Sequence, residues 1–247
     1  MQFKSVQQAL RKHASKKKAA ILQRFFKTGP GEYGEGDVFA GVTVPQIRSV
    51  VKTYRDLPYA DIIKLLKSPI HEERLCALLI LVQRFSKGSC KDKQKTYEVY
   101  LNHIKYINNW DLIDLTACHI VGPYLKDKNK KILYSLANSS SLWERRIAVL
   151  ATFSYIKDNI YTDSIKIAEI LLQDTEDLIH KAVGWMLREI GKRNQQIEEK
   201  FLKKHYKTMP RTMLRYAIEK FPENKRKSYI KGTLLSLLTV TFYSLLF

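Results

Sequence analysis

The chain is poor in the residues that build metal knuckles, disulfide frameworks and phosphate-cradling loops. It has three cysteines in 247 residues, Cys76, Cys90 and Cys118, too few and too scattered for a disulfide framework or a CxxC metal motif. Cys76 and Cys118 fall inside apolar helical runs and read as reduced core residues. The six histidines form no HExxH or related pair, so neither a metal nor any other cofactor is expected. With 10 glycines and 7 prolines there is little room for long disorder. The one glycine-rich stretch, Gly29–Asp37, lacks the GxxxxGK[ST] pattern and is not a P-loop. Period-two alternation is missing, which argues against strands. No apolar signal core follows the basic N-terminus, so a cytoplasmic location is expected.

Acid is missing as well. Residues 1–28 carry eight Lys or Arg and not one Asp or Glu, and residues 188–231 carry fourteen basic against five acidic side chains. These two ends supply seventeen of the +19 formal charges, and the middle is nearly balanced. A solvated helix face can also be rich in lysine. Concentration at the two ends favours instead a polyanion gripped through its phosphates.

What is present is helical periodicity almost throughout. Residues 3–26 read as one amphipathic helix, and Pro45 as a first-turn proline opening a helix over 45–54. A helix over 71–85 follows Ser68–Pro69; Asn108 or Asn109 can cap the helix carrying Trp110, which Gly122–Pro123 should end. Ser141 with Glu144 has the capping-box pattern for 142–156, and Asp174 or Thr175 can cap 176–192. Arg74, Trp110, Arg146 and Lys181 stand 36, 36 and 35 residues apart. A period in this range marks a helical-repeat array with two helices per repeat. The expected fold is therefore all-α, a HEAT-like solenoid over residues 1–231 whose inner helices line one concave face. The uncharged, mostly apolar tail 232–247 falls short of the roughly 20 residues of a membrane span. It reads as a short anchor, a docked helix or a reading-frame remnant, with the non-spanning readings favoured.

On such an array Trp110 and Asp114 share one helix face, being four residues apart. Asp111 sits in the first turn, where a carboxylate complements the helix dipole, and reads as a helix-start residue. Asp114 has no such capping role. Arg145 and Arg146 point about 100° apart, so at most one faces the groove, towards Asp114 or a phosphate. Trp185 lies on the following repeat, with Arg188 beyond it. A lone tryptophan in a repeat array is usually core; a recurring Trp, Asp, Arg and Trp set points to a surface that handles a sugar–phosphate backbone.

The segments Trp110–Asp111–Leu112–Ile113–Asp114, Trp143–Glu144–Arg145–Arg146 and Lys181–Glu189 resemble the motifs of the AlkD-type DNA alkylation repair proteins, and Gly41–Arg48 resembles that family's N-terminal motif. The likeness spans about residues 1–231 and keeps motif order and spacing. It implies a single domain of HEAT-like repeats cradling double-stranded DNA, alkylated or distorted; a monomer is expected, with no metal from the histidine pattern and no membrane partner from the short tail. Active members are monofunctional glycosylases that release cationic N3- and N7-alkylated purines without flipping the base. The resemblance makes Asp114, Trp110 and Trp185 the catalytic residues, and Arg146, Arg188, Lys181, Thr43 and Arg48 the DNA contacts. Alkylation makes the purine a good leaving group and leaves an oxocarbenium-like sugar, which Asp114 can stabilise while it positions a water. The tryptophan faces add cation–π attraction, and Arg146 can hold a phosphate bidentately. Val44 cannot hydrogen-bond to DNA, and this opens a second reading, a non-catalytic binder of branched or distorted DNA. A protein-interaction scaffold is the third.

Overall fold

The computed structural model describes residues 2–233; the apolar tail from residue 234 onward lies outside them. The described residues are helical with no strand, apart from one isolated bridge between Val38 and Ile70. They fall into two compact units divided between Tyr155 and Ile156.

The first unit holds α1 (Gln2–Arg11), α2 (Lys16–Phe25), α3 (Val44–Thr53), α4 (Tyr59–Leu66), α5 (His71–Lys87), α6 (Cys90–Asn102), α7 (Trp110–Asp114), α8 (Ala117–Leu125), α9 (Lys131–Ala137) and α10 (Leu142–Ala151). The short α11 (Phe153–Lys157) runs across the division. The second unit holds α12 (Thr162–Ile170), α13 (Asp177–Gly191), α14 (Gln195–His205), α15 (Arg211–Ala217) and α16 (Glu223–Lys231). Helix α5 is apolar all round its middle and forms the core of the first unit, packed by α3, α4, α6 and α8. In the second unit α13 has that place, packed by α12, α14 and α15. Among the described residues no helix is long and apolar enough to cross a membrane.

Three helix entries repeat one device. Ser68 Oγ, Ser139 Oγ and Asp174 Oδ1 each accept the backbone N–H two residues on. Six residues after each stands a cation-type side chain that turns back: Arg74 to the Ser68 and Pro69 carbonyls, Arg145 to Ser139 and Ser140, His180 to Asp174. The side chains thereby satisfy carbonyls that the turn leaves open. The equivalent residues are therefore Arg74, Arg145 and His180, so the sequence series is one residue late at Arg146 and Lys181.

Four local expectations change. Residues 3–26 form two helices: the first ends at Arg11, and Ser15 accepts the Lys18 N–H to begin the second. Gly122–Pro123 does not end a helix; both lie inside α8, while α7 ends at Asp114. Glycine is needed at 122 for packing, since a Cβ there would lie 2.1 Å from the Ala151 carbonyl oxygen of α10's last residue. The helix expected over 142–156 breaks after Ala151. Glu176, not Asp174 or Thr175, is the N-cap of α13, and Asp174 serves the turn before it.

Close approach also fixes Gly184 on α13. A Cβ would sit 2.4 Å from the Met213 carbonyl oxygen and 2.6 Å from Tyr216 Cβ on α15. Backbone must then move, so Gly184→Ala is expected to lose about 1–3 kcal/mol in urea unfolding despite alanine's better helix propensity.

Candidate active site

Asp114, the last residue of α7, receives two parallel hydrogen bonds from Arg146 on α10. Arg146 Nε donates to Oδ1 at 2.8 Å and its terminal nitrogen to Oδ2 at 2.8 Å. This fork-to-fork geometry fixes the carboxylate plane. Burial pushes the Asp114 carboxyl above its ordinary value, and Asp111 adds to that, while Arg146 opposes it. Arg146 itself is buried, with 5% of its surface exposed. Arg145 turns the other way, to the carbonyls of Ser139 and Ser140.

Asp114 lines a cavity of about 510 Å³, whose remaining wall is almost entirely apolar. Helix α2 supplies Ile21, Leu22 and Phe25; the segment leading into α3 supplies Phe39, Val42, Thr43 and Val44; α7 adds Trp110 and Asp111. Helix α2 buries none of its own residues, and Ile21 and Phe25 are 51% and 62% exposed. All eight lysines and arginines before residue 29 are exposed, and Lys18 stands at the cavity. Trp110 is half-buried, stacked on Phe26 with ring centres 5.0 Å apart and met edge-on by Phe25 at 5.9 Å.

Behind this wall lies a polar cluster that the sequence reading missed. His71, the first residue of α5, donates from Nδ1 to Asp37 at 3.0 Å and from Nε2 to Asp111 at 2.8 Å. Asp37 also accepts from Arg74 and, at 2.9 Å, from Asn109 Nδ2. Asn109 Oδ1 accepts the Trp110 N–H and caps α7. Desolvation opposes the charge on His71, but hydrogen bonds and attraction from Asp111 and Asp37 outweigh it and raise its pKa to about 9. Burial alone would raise the Asp37 carboxyl; His71, Arg74 and Asn109 outweigh it and hold it below its ordinary value. Phe39 stacks on the imidazolium at 4.4 Å, and Phe26 bridges it to Trp110. Next to it the Glu72 carboxylate accepts the backbone N–H groups of Ala40, Gly41 and Val42 at 2.9, 2.7 and 3.1 Å. Gly41 has φ +80°, and a Cβ there would strike the Ser15 carbonyl oxygen at 2.2 Å, so only glycine serves.

The residues singled out from sequence divide between the units. Trp110, Asp114, Arg146 and Thr43 converge in the first. Thr43 caps α3, its N–H and hydroxyl both donating to Gln46 Oε1 at 2.9 and 2.7 Å. Arg48 is exposed on α3. Trp185, Lys181 and Arg188 stand on α13 in the second unit, where Lys181 pairs with Asp177 at 2.6 Å and Arg188 pairs with Glu219. Asp111 is not only a helix-start residue: Oδ1 accepts the Leu112 N–H at 2.9 Å while Oδ2 takes His71. Asp37, His71 and Asn109 had one signal in the sequence. Helix α5 is strongly apolar yet opens with His71–Glu72–Glu73–Arg74, and charges entering a core must be paired. Among the described residues no group of three or more His, Cys, Asp or Glu could hold a metal ion.

The profile of the DNA alkylation repair enzyme family matches residues 6–221. A solved structure, the predicted DNA alkylation repair enzyme from Enterococcus faecalis, is similar with a TM-score of 0.65 and 17% identity, over 85% of this chain and 98% of that one. At that identity the likeness is one of fold. Among curated proteins, none matches the sequence.

Proposed function

Because the chain belongs to the family of DNA alkylation repair enzymes, we propose that it hydrolyses the N-glycosidic bond of cationic N3- and N7-alkylated purines in duplex DNA, without flipping the base. The observation that carries this reading is the Asp114 carboxylate, held by both arms of Arg146 at the wall of an apolar cavity beside Trp110. A positively charged purine leaves as a neutral base, so no general acid is required. The demand falls on the sugar, which becomes an oxocarbenium-like cation. A carboxylate in a low-dielectric wall stabilises that cation more than one in water, and it can orient the attacking water. Arg146 favours the ionised carboxylate against its own desolvation and fixes its plane, while each oxygen retains a second lone pair for water or sugar. The ring of Trp110 supplies π density at the same wall. A neutral purine departs poorly, so lesion choice follows from leaving-group chemistry.

The reading predicts release of 3-methyladenine and 7-methylguanine from methylated duplex DNA, measured by chromatography of the freed bases. A second reading, binding of branched or distorted DNA without excision, rests on Val44, which lines the cavity and cannot hydrogen-bond to DNA. Tight, salt-sensitive binding that prefers junctions over linear duplex, with no base released, would replace the first reading by the second.

A further inference from the structure

We infer that His71 is a positioning residue of this site: clamped between Asp37 and Asp111, its doubly donating imidazolium sets the five-residue helix that carries Trp110 and Asp114. The inference rests on the hydrolytic reading proposed above and adds a residue that touches neither substrate nor leaving group.

Helix α7 is too short to hold its own orientation, since five residues make little more than one turn. Its placement comes from the buried Leu112 and Ile113, packed against α10, α5 and α8, and from the polar groups that grip its start. Three contacts grip that start, and all three lead to His71. Nε2 of His71 donates to Asp111, the second residue of α7, at 2.8 Å. Nδ1 donates to Asp37, and the same carboxylate oxygen accepts from Asn109, the N-cap of α7. The third is the ring column, in which Phe26 lies between His71 and Trp110 with ring centres 5.2 and 5.0 Å away. Arg146 then grips the far end of α7 through Asp114.

The charged groups facing His71 are Asp37 from the loop before α3, Asp111 from α7 and Arg74 from its own helix, the last through Asp37. With Asp114 and Arg146 they make three carboxylates against three cations. Removing the His71 proton unbalances the set by one negative charge. It also leaves a ring nitrogen lone pair aimed at a carboxylate oxygen, because a neutral imidazole donates from one side only. One of the two grips is lost, and with it the fixed placement of the α7 start, on which the approach of Trp110 and Asp114 to the sugar depends, while Arg146 still holds the carboxylate plane.

The test is single-turnover release of 3-methyladenine at saturating protein, so that DNA affinity and chemistry separate. His71→Gln can donate to one carboxylate but presents its carbonyl oxygen to the other. The release rate is expected to fall about 10–100-fold, the usual range for groups that orient a functional ligand. DNA affinity should stay within about twofold of wild type, a split that bulk destabilisation of a still-folded variant does not produce. In the wild type the rate should decline on the alkaline side as His71 loses its proton near pH 9, with circular dichroism showing the chain still folded. In the variant that limb should flatten. A folded His71→Gln protein releasing base at the wild-type rate with the wild-type alkaline limb overturns the inference. If the variant does not fold, the wild type decides alone: a level rate from pH 7 to pH 10 in folded protein overturns it, and an alkaline decline supports it. A wild type that releases no base at any pH defeats the hydrolytic reading itself, which is a different result.

Discussion

Asp114→Asn is expected to lower base release by about two to three orders of magnitude, the loss seen when one preorganised charge-stabilising group is removed from an active site, while DNA affinity changes little. The geometry makes asparagine a clean test. Its side-chain oxygen can still accept one of the two Arg146 hydrogen bonds. Its amide nitrogen then faces the other guanidinium N–H, leaving one donor unmet at a cost of about 1–3 kcal/mol. That loss shows as a lower melting temperature in a chain that still folds, and must be measured beside the rate. The direction with pH follows from the carboxyl's raised value. The ionised form is the active one, so wild-type release should fall as pH drops through a value above the ordinary carboxylate range, and the variant should show no such limb. Undiminished release in Asp114→Asn would remove this residue from the mechanism, whatever the family likeness suggests.

Why the pair forms is legible in part from sequence. Spacing alone puts Arg145 and Arg146 at the start of the repeat after Asp114, and two adjacent arginines cannot face the same way. Which one turns inward depends on carbonyls five and six residues back, at Ser140 and Ser139, that capture Arg145. The same capture at Arg74 and His180 is visible only once the turns are built. That is why the register of the series is one residue late at Arg146 and Lys181. It also places the Arg146 guanidinium, buried, on the Asp114 carboxylate.

The family likeness and the helical period give the all-α repeat fold, because amphipathic spacing survives in any chain that must stack its helices. They do not give Asp37, which sits in a glycine-rich loop whose local pattern excluded a P-loop and said nothing else. Its partners lie 34, 37 and 72 residues away at His71, Arg74 and Asn109. No periodicity links a loop to a helix start and a helix cap at those separations. Asp111 was assigned by a rule that is locally correct, and its second oxygen escaped the rule for the same reason. Long-range ion pairs in a core are the part of a site that pattern reading sees least, since burial and not spacing demands them.

Asp37→Ala is expected to destabilise the fold by about 3–5 kcal/mol, the range for breaking a buried ion pair from one side. Against a typical domain stability of about 5–15 kcal/mol this is a large share. The alanine leaves His71 with one carboxylate, removes the partner of Arg74 and unties the Asn109 cap. Two buried cations would then stand against Asp111 alone within the cluster, so the loss exceeds that of a surface pair several times over. The pH dependence has a definite sign on each side. Asp37 titrates below its ordinary value in the folded chain, so the stability it contributes is present above that ordinary value and is lost as pH falls through the lower folded one. His71 titrates above its ordinary 6.5, near 9, so its contribution is complete below 6.5 and lost as pH rises through about 9. A shift of that size corresponds to about 3 kcal/mol. The part of the stability in urea unfolding that these two groups supply should therefore be level between about pH 4 and 6.5 and decline on both sides, on top of the steady loss with rising pH from buried Glu198, whose carboxyl is raised to about 8. In Asp37→Ala the plateau should drop, the acid limb should flatten for want of the carboxyl, and the alkaline limb should shrink because only Asp111 still lifts the imidazole. An alanine variant as stable as the wild type at pH 6, with both limbs intact, would mean that the Asp37–His71–Asp111 cluster does not hold this part of the fold together.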